Sequence, residues 1–211
     1  MATYFAKTPY WLKKVFPKGL IWDLLAGKEP TVYITFDDGP HPTVTPFVLE
    51  QLDKYDAHAT FFCVGNNVTK FPEVYELVLS KGHSTGNHTF NHMNGWKTNN
   101  ETYLANIELA KKPIKSNLFR PPYGKISYSQ ARLLQQKKYG LKIIMWNVLS
   151  GDFDRELSPE KCLDNVLHNI KPGSIVLFHD SEKAWDRMSY ALPRVLEYCK
   201  QQGWKMKAIP G

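Results

Sequence analysis

Val32-Tyr33-Ile34-Thr35-Phe36-Asp37-Asp38-Gly39-Pro40 is the stretch that decides the reading of this chain. Val32, Tyr33, Ile34 and Phe36 read as a short buried strand, and Gly39-Pro40 ends it abruptly. Asp37 and Asp38 therefore stand where a strand leaves the core. Two adjacent carboxylates repel each other there unless a cation or a proton relieves them. Successive side chains of an extended chain point to opposite sides, so one carboxylate can bind a metal while the other handles protons. Asp-Gly is also ordinary turn chemistry, and the pair alone does not separate a solvated turn from a site.

Working outward, apolar strand-like runs recur at about 31–36, 57–64, 83–87, 116–119, 141–148, 174–179 and 204–209. Helical patterns fill the gaps: Val44–Tyr55, Pro72–Lys81, Glu101–Lys112, Ser129–Tyr139, Pro159–His168 and Met188–Gln202. Such regular alternation predicts an α/β domain with a mainly parallel sheet, and about seven strands favour a distorted (β/α) barrel with an irregular seam. In barrels the chemistry gathers at the C-terminal strand ends. Polar residues interrupt this sequence at those places. Asp37 and Asp38 follow the first strand, His88 and His92 the third, Arg120 the fourth, Asp152 the fifth and His179 the sixth. Residues 31–211 form the predicted domain, with 1–30 a segment packed on it.

The composition excludes several classes. The 211 residues are 43% hydrophobic and 22% charged, which suits one globular domain. The net charge of +7 is spread along the chain and no nucleic-acid motif accompanies it, so no nucleic-acid partner is expected. Residues 10–25 carry Trp11, Leu12, Phe16, Trp22 and Leu24, but Lys13, Lys14, Lys18 and Asp23 break the run, so no transmembrane segment is expected. Nothing at the N-terminus has the form of a secretory signal, which makes the cytoplasm the default location and leaves the cell envelope open. Cys63, Cys162 and Cys199 form no disulfide framework and read as buried thiols. The sequence sets no oligomeric state.

His83-Ser84-Thr85-Gly86-Asn87-His88-Thr89-Phe90-Asn91-His92 holds three of the seven histidines. Four residues apart, His88 and His92 can face one point from a helical turn or a tight loop. With one carboxylate they make a set that suits Zn2+ with an open coordination position, Co2+, Ni2+ or Fe2+ being compatible. His83, His41, His58 and His168 are expected to be structural. In Phe119-Arg120-Pro121-Pro122-Tyr123-Gly124 the paired prolines stiffen a loop, and Arg120 suits the bidentate holding of a carboxylate. His179, ending the strand Ile175–Phe178, has the side chain whose pKa suits proton transfer near neutrality.

These five segments, in this order, resemble the polysaccharide deacetylases, the NodB-homology carbohydrate esterases of family four, from about Thr31 to the C-terminus. The resemblance implies a distorted (β/α) barrel and metal-dependent removal of N- or O-linked acetyl groups from N-acetylglucosamine-containing or O-acetylated glycans. It implies that Asp38, His88 and His92 hold the metal, that Asp37 is the general base and that Arg120 orients it. It further implies an oxyanion contact from the Tyr123 N–H, His179 as the acid tuned by Asp152, and Phe153 and Leu177 as the acyl pocket. The segment Trp146-Asn147-Val148-Leu149-Ser150-Gly151-Asp152-Phe153 departs from the family's Trp-Ser-x-Asp-x-x-Asp-Trp, with Leu149 in place of the first Asp and Phe153 in place of the last Trp. Two other readings compete: a carbohydrate-binding protein that keeps the fold without catalysis, and a magnesium phosphatase built on Phe-Asp-Asp-Gly.

Overall fold

In the computed structural model, which describes residues 4–25, 27 and 29–211, the apolar run at Asp37 forms β1 (Thr31–Asp37) at the centre of a parallel sheet. The other strands are β2 (Thr60–Cys63), β3 (Ser84–Asn87), β4 (Leu118–Phe119), β5 (Lys142–Ile143), β6 (Val148–Leu149), β7 (Ile175–His179) and β8 (Lys205–Met206). Their order is β5-β4-β3-β2-β1-β7-β6, and β8 adds to the start of β1 at Thr31 and Val32. The sheet curls into an open barrel whose seam lies between β5 and β6. Residues 1–3, 26 and 28 of the N-terminal segment lie outside the described residues.

Strand alternation separates two apolar layers. Val32, Ile34 and Phe36 join Phe61, Val176 and Phe178 in the layer beneath the helices, where the Phe36 ring stacks on Phe61 at 5.0 Å. Tyr33, Phe62 and Ile175 point the other way, with Leu118 and Ile144. This period of two also carries Thr35, Asp37, Leu177 and His179 to that second, inner face. The helices that cover the outside are α2 (Val44–Asp53), α3 (Gly65–Lys70), α4 (Pro72–Ser80), α5 (Asn100–Ala110), α6 (Tyr128–Gln135), α7 (Pro159–Leu167) and α8 (Trp185–Gln201), after a short α1 (Tyr10–Val15). Local signals explain several of their starts: the Asn99 side chain accepts from the Thr102 N–H, Ser127 and Gln130 form a capping box, and Ser158 caps α7 before Pro159. Met188, Leu192, Val195, Leu196 and Cys199 make the buried stripe of α8.

The run 141–148 is not the single strand its apolar pattern predicts. Leu118 and Phe119 pair with Lys142 and Ile143 at one edge, whereas Val148 and Leu149 pair with Val176 and Leu177 at the other. Residues 144–147 cross the seam between them, so the seven predicted runs become eight strands. The N-terminal segment lies along this crossing. Ile21 N–H donates to the Ile143 carbonyl at 2.9 Å, Thr8 N–H to Asn147 at 3.0 Å, and Leu149 N–H to Ala6 at 2.8 Å. All three cysteines are free and buried. Among the described residues no helix is long and apolar enough to cross a membrane.

Candidate active site

The C-terminal ends of the strands open into a cavity of about 700 Å³, and Asp37, Asp38, His88, His92, Tyr123, Phe153, Leu177 and His179 all line it. Asp37 and His179 are register partners on β1 and β7. They are therefore neighbours that share the inner face. Asp38 lies beyond the strand with a left-handed φ of 81°, an uncommon conformation for a residue with a Cβ. This turn corrects the expectation that alternation sends the two carboxylates to opposite sides. Both now face His88, whose Nε2 lies 3.7 Å from Asp37 and 3.8 Å from Asp38.

His88 and His92 stand on an irregular loop after β3, with Thr89 and His92 at positive φ, rather than on a helical turn. Fully buried His88 holds its Nδ1 2.8 Å from the Arg120 carbonyl. A carbonyl only accepts, so Nδ1 carries the hydrogen and Nε2 keeps its lone pair toward the cavity. Burial pushes the His88 pKa down to about 4 against the pull of Asp37, which keeps the ring neutral. His92 Nε2 lies 3.1 Å from Asp38 Oδ1, and its Nδ1 pairs with the Tyr123 hydroxyl at 3.1 Å. Burial alone would raise Asp38. His92, His179 and His88 together outweigh it and hold the carboxyl well below the usual range.

The ligand atoms of Asp38, His88 and His92 lie within 4.8 Å of one another. Asp38 Oδ1 is buried with no hydrogen-bond partner, although the His92 nitrogen is near. That orphaned oxygen, beside the Nε2 atoms of two imidazoles, is what a cation site provides, and the donor set fits a divalent metal. The hydrogen bonds on the far nitrogens of both rings fix their orientation.

Arg120 is completely buried. Its Nη1 donates to Asp37 Oδ1 at 2.7 Å and to the Thr35 hydroxyl at 2.8 Å, its Nη2 to the Met145 carbonyl at 3.0 Å, and its Nε to the Ile144 carbonyl at 3.2 Å. The guanidinium carbon sits 4.0 Å over the Phe62 ring. Burial pushes Arg120 down and Asp37 opposes it. On β7, beside Asp37, His179 Nδ1 pairs with Asp152 Oδ1 at 2.7 Å, while Asp152 Oδ2 accepts the His179 backbone N–H at 2.7 Å. Burial disfavours the imidazolium, yet Asp152 outweighs it and raises His179 to about 9. The Asp152 carbonyl is in turn bound by Arg187 Nε at 2.7 Å.

Phe153 packs edge-on against His179 at 5.4 Å. Leu149 and Leu177 are register partners and form an apolar strip, so the Asp-to-Leu departure leaves a dry wall rather than a third charge. Tyr123 interrupts the short turn Pro122–Gly124 with a left-handed φ of 61°. His83, expected to be structural, is buried beside β2 and accepts the Ala59 N–H at 3.2 Å.

Thr35, Asn67 and Asp180 also support this site. Thr35 lies two residues before Asp37 on the same face, which period-two reading reaches. Asn67 binds the Asp38 carbonyl at 2.8 Å from α3, a contact no local pattern announces. Asp180, next to His179, accepts the Gly39 N–H at 3.0 Å and bonds the Thr45 hydroxyl at 2.6 Å, and burial pushes its carboxyl up to about 8. A Cβ on Gly39 would stand 2.0 Å from Asp180, so glycine is required there by close approach.

The chain is similar to known proteins along most of its length. The polysaccharide deacetylase family model matches residues 25–144. A peptidoglycan-N-acetylglucosamine deacetylase of Bacillus cereus is 33% identical over 205 residues, covering 93% of this chain and 94% of the relative. A chitooligosaccharide deacetylase of Azorhizobium caulinodans is 37% identical, covering 86% of this chain and 94% of the relative. A solved peptidoglycan N-acetylglucosamine deacetylase in complex with a substituted benzamide superposes with a TM-score of 0.83 at 29% identity, over 96% of this chain and 95% of that one. By the family model, these relatives and the shared barrel, the chain belongs to the polysaccharide deacetylase family.

Proposed function

We propose that the protein is a zinc-dependent deacetylase that hydrolyses the acetamide of N-acetylglucosamine units in a glycan. The observation that supports this reading is one cavity lined together by the Asp38–His88–His92 cluster, by Asp37, which Arg120 holds, and by His179, which Asp152 holds. The relatives' names, peptidoglycan-N-acetylglucosamine and chitooligosaccharide deacetylases, support the substrate class.

Asp38, His88 and His92 hold the cation, which when bound supplies a water of lowered pKa and polarises the acetyl carbonyl. Asp37 accepts the proton of the attacking water. Arg120 fixes the direction of that carboxylate, and the Tyr123 N–H meets the oxygen on which charge develops. His179 gives its proton to the departing nitrogen, and Asp152 keeps the ring charged and correctly turned at neutral pH. Leu177 and Phe153 close around the acetyl methyl. The His88/His92 pair and Arg120 have no place in the magnesium phosphatase reading.

Acetate release from chitooligosaccharides, peptidoglycan and acetylxylan, with and without a chelator, tests the proposal. Release from the N-acetylated substrates that stops with chelator and returns with zinc is expected. Chelator-insensitive release refutes the metal role, and metal-bound protein that releases no acetate from any of them supports the non-catalytic carbohydrate-binding reading.

A further inference from the structure

We propose a second saccharide site on this chain, an aromatic platform built from Trp96 and Tyr128, that grips the part of the glycan lying outside the catalytic cavity. The inference rests on the proposed glycan substrate and deepens it, since it assigns the enzyme a preference for longer chains.

Trp96 and Tyr128 are 60% and 64% exposed, unusual for large aromatic rings. Neither is loose. The Trp96 indole N–H donates to the Ile126 carbonyl at 3.0 Å, and the Tyr128 hydroxyl donates to the Val15 carbonyl at 2.8 Å. With both polar handles occupied by the protein, what the rings offer a ligand is flat apolar surface. Phe16 from the N-terminal segment lies 6.5 Å from the Trp96 ring. The rings border a cleft of about 500 Å³ that Thr98, Asn100 and Ser129 also line. Flat apolar surface beside hydroxyl and amide groups matches a pyranose, which has one C–H-rich face and a rim of hydroxyls. Rings already held in place lose little freedom on binding.

The cleft is joined to the catalytic cavity through Lys125. Lys125 lines that cavity, and its Nζ stands 5.3 Å from the Trp96 ring centroid. The Lys125 carbonyl accepts the Gly95 N–H at 3.2 Å, and a Cβ on Gly95 would come within 2.5 Å of that oxygen. The Trp96 turn is therefore docked on the same loop that carries Tyr123. Lys125 thus touches both the catalytic cavity and the Trp96 ring. This continuity commits the occupant to the substrate's own distal sugars.

The test uses Trp96→Ala and Trp96→Phe in the full chain, each compared with wild type by thermal melting, calorimetric titration with chitobiose and chitopentaose, and acetate release from both. Wild type is expected to bind and turn over the pentasaccharide better than the disaccharide. Trp96→Ala is expected to lose about tenfold in affinity and in kcat/KM for the pentasaccharide while disaccharide turnover is unchanged, and Trp96→Phe to keep most of the gain. Equal pentasaccharide binding in Trp96→Ala and wild type, or no chain-length dependence in wild type, overturns the site. Trp96-dependent pentasaccharide binding without acetate release upholds the site and refutes the deacetylase reading instead.

Discussion

Arg120→Lys is the substitution whose consequence follows most directly from the structure. Arg120 makes four buried hydrogen bonds that tie Thr35 and Asp37 of β1 to the Ile144 and Met145 carbonyls in the seam crossing. Lysine keeps the positive charge but offers a point rather than a fork, so at most the Asp37 contact survives. The Ile144 and Met145 carbonyls then lose this donor, and a buried polar group left unsatisfied costs about 1–3 kcal/mol. For the two carbonyls the sum is about 2–6 kcal/mol, a range that includes the cost of removing one partner of a buried ion pair. For a domain of this size that lowers Tm by about 10 °C. At temperatures where the variant is still folded, Asp37 is no longer aimed, and kcat is expected to fall about 100-fold with KM little changed. Calorimetric melting and initial rates on one chitooligosaccharide check both numbers. A Tm within about 3 °C of wild type would show that the guanidinium does not bind the seam to the base.

Asp152→Asn removes the largest of the contributions that raise His179 to about 9, while the Asp38 and Asp37 charges still oppose burial; the alkaline limb of the pH–rate profile, expected near pH 9 in wild type, moves to lower pH, and the rate on that limb falls. The sign for stability is the same: because the folded pKa is raised, the His179–Asp152 pair stabilises fully below pH 6.5 and loses this as pH rises through about 9, so the variant's Tm deficit shrinks at high pH. Gly39→Ala sets a Cβ 2.0 Å from Asp180 Oδ2, and is expected to cost about 1–3 kcal/mol by forced repacking, read by denaturant unfolding, and to weaken metal binding by displacing Asp38. Leu177→Ala is expected to destabilise by about 2–5 kcal/mol and to raise the ratio of propionamide to acetamide hydrolysis; an unchanged ratio would remove Leu177 from the acyl pocket.

Much of this architecture was legible because several local signals agreed. The apolar run before Asp37, the alternation with capped helices and the polar residues at strand ends each point to a parallel barrel. What escaped depends on tertiary contacts. The run 141–148 is continuously apolar, and nothing in its periodicity reports that Ile143 and Val148 serve opposite edges of the sheet. Gly65–Lys70 is too short and polar for a 3.6-residue pattern, yet its Asn67 holds the Asp38 loop. The orientation of Asp38 follows from one left-handed residue rather than from strand alternation. Asp180 follows His179 at the same strand end, but its partners, Gly39 and Thr45, reach it only across about 140 residues.

The division of labour between the adjacent carboxylates is the central claim, and the bound metal of two variants tests it most directly. Zinc content after dialysis and acetate release are measured together for Asp37→Asn and His88→Ala. The account predicts that Asp37→Asn retains the metal and loses turnover, whereas His88→Ala loses the metal along with activity. Loss of the metal from Asp37→Asn, or full retention by His88→Ala, would contradict it.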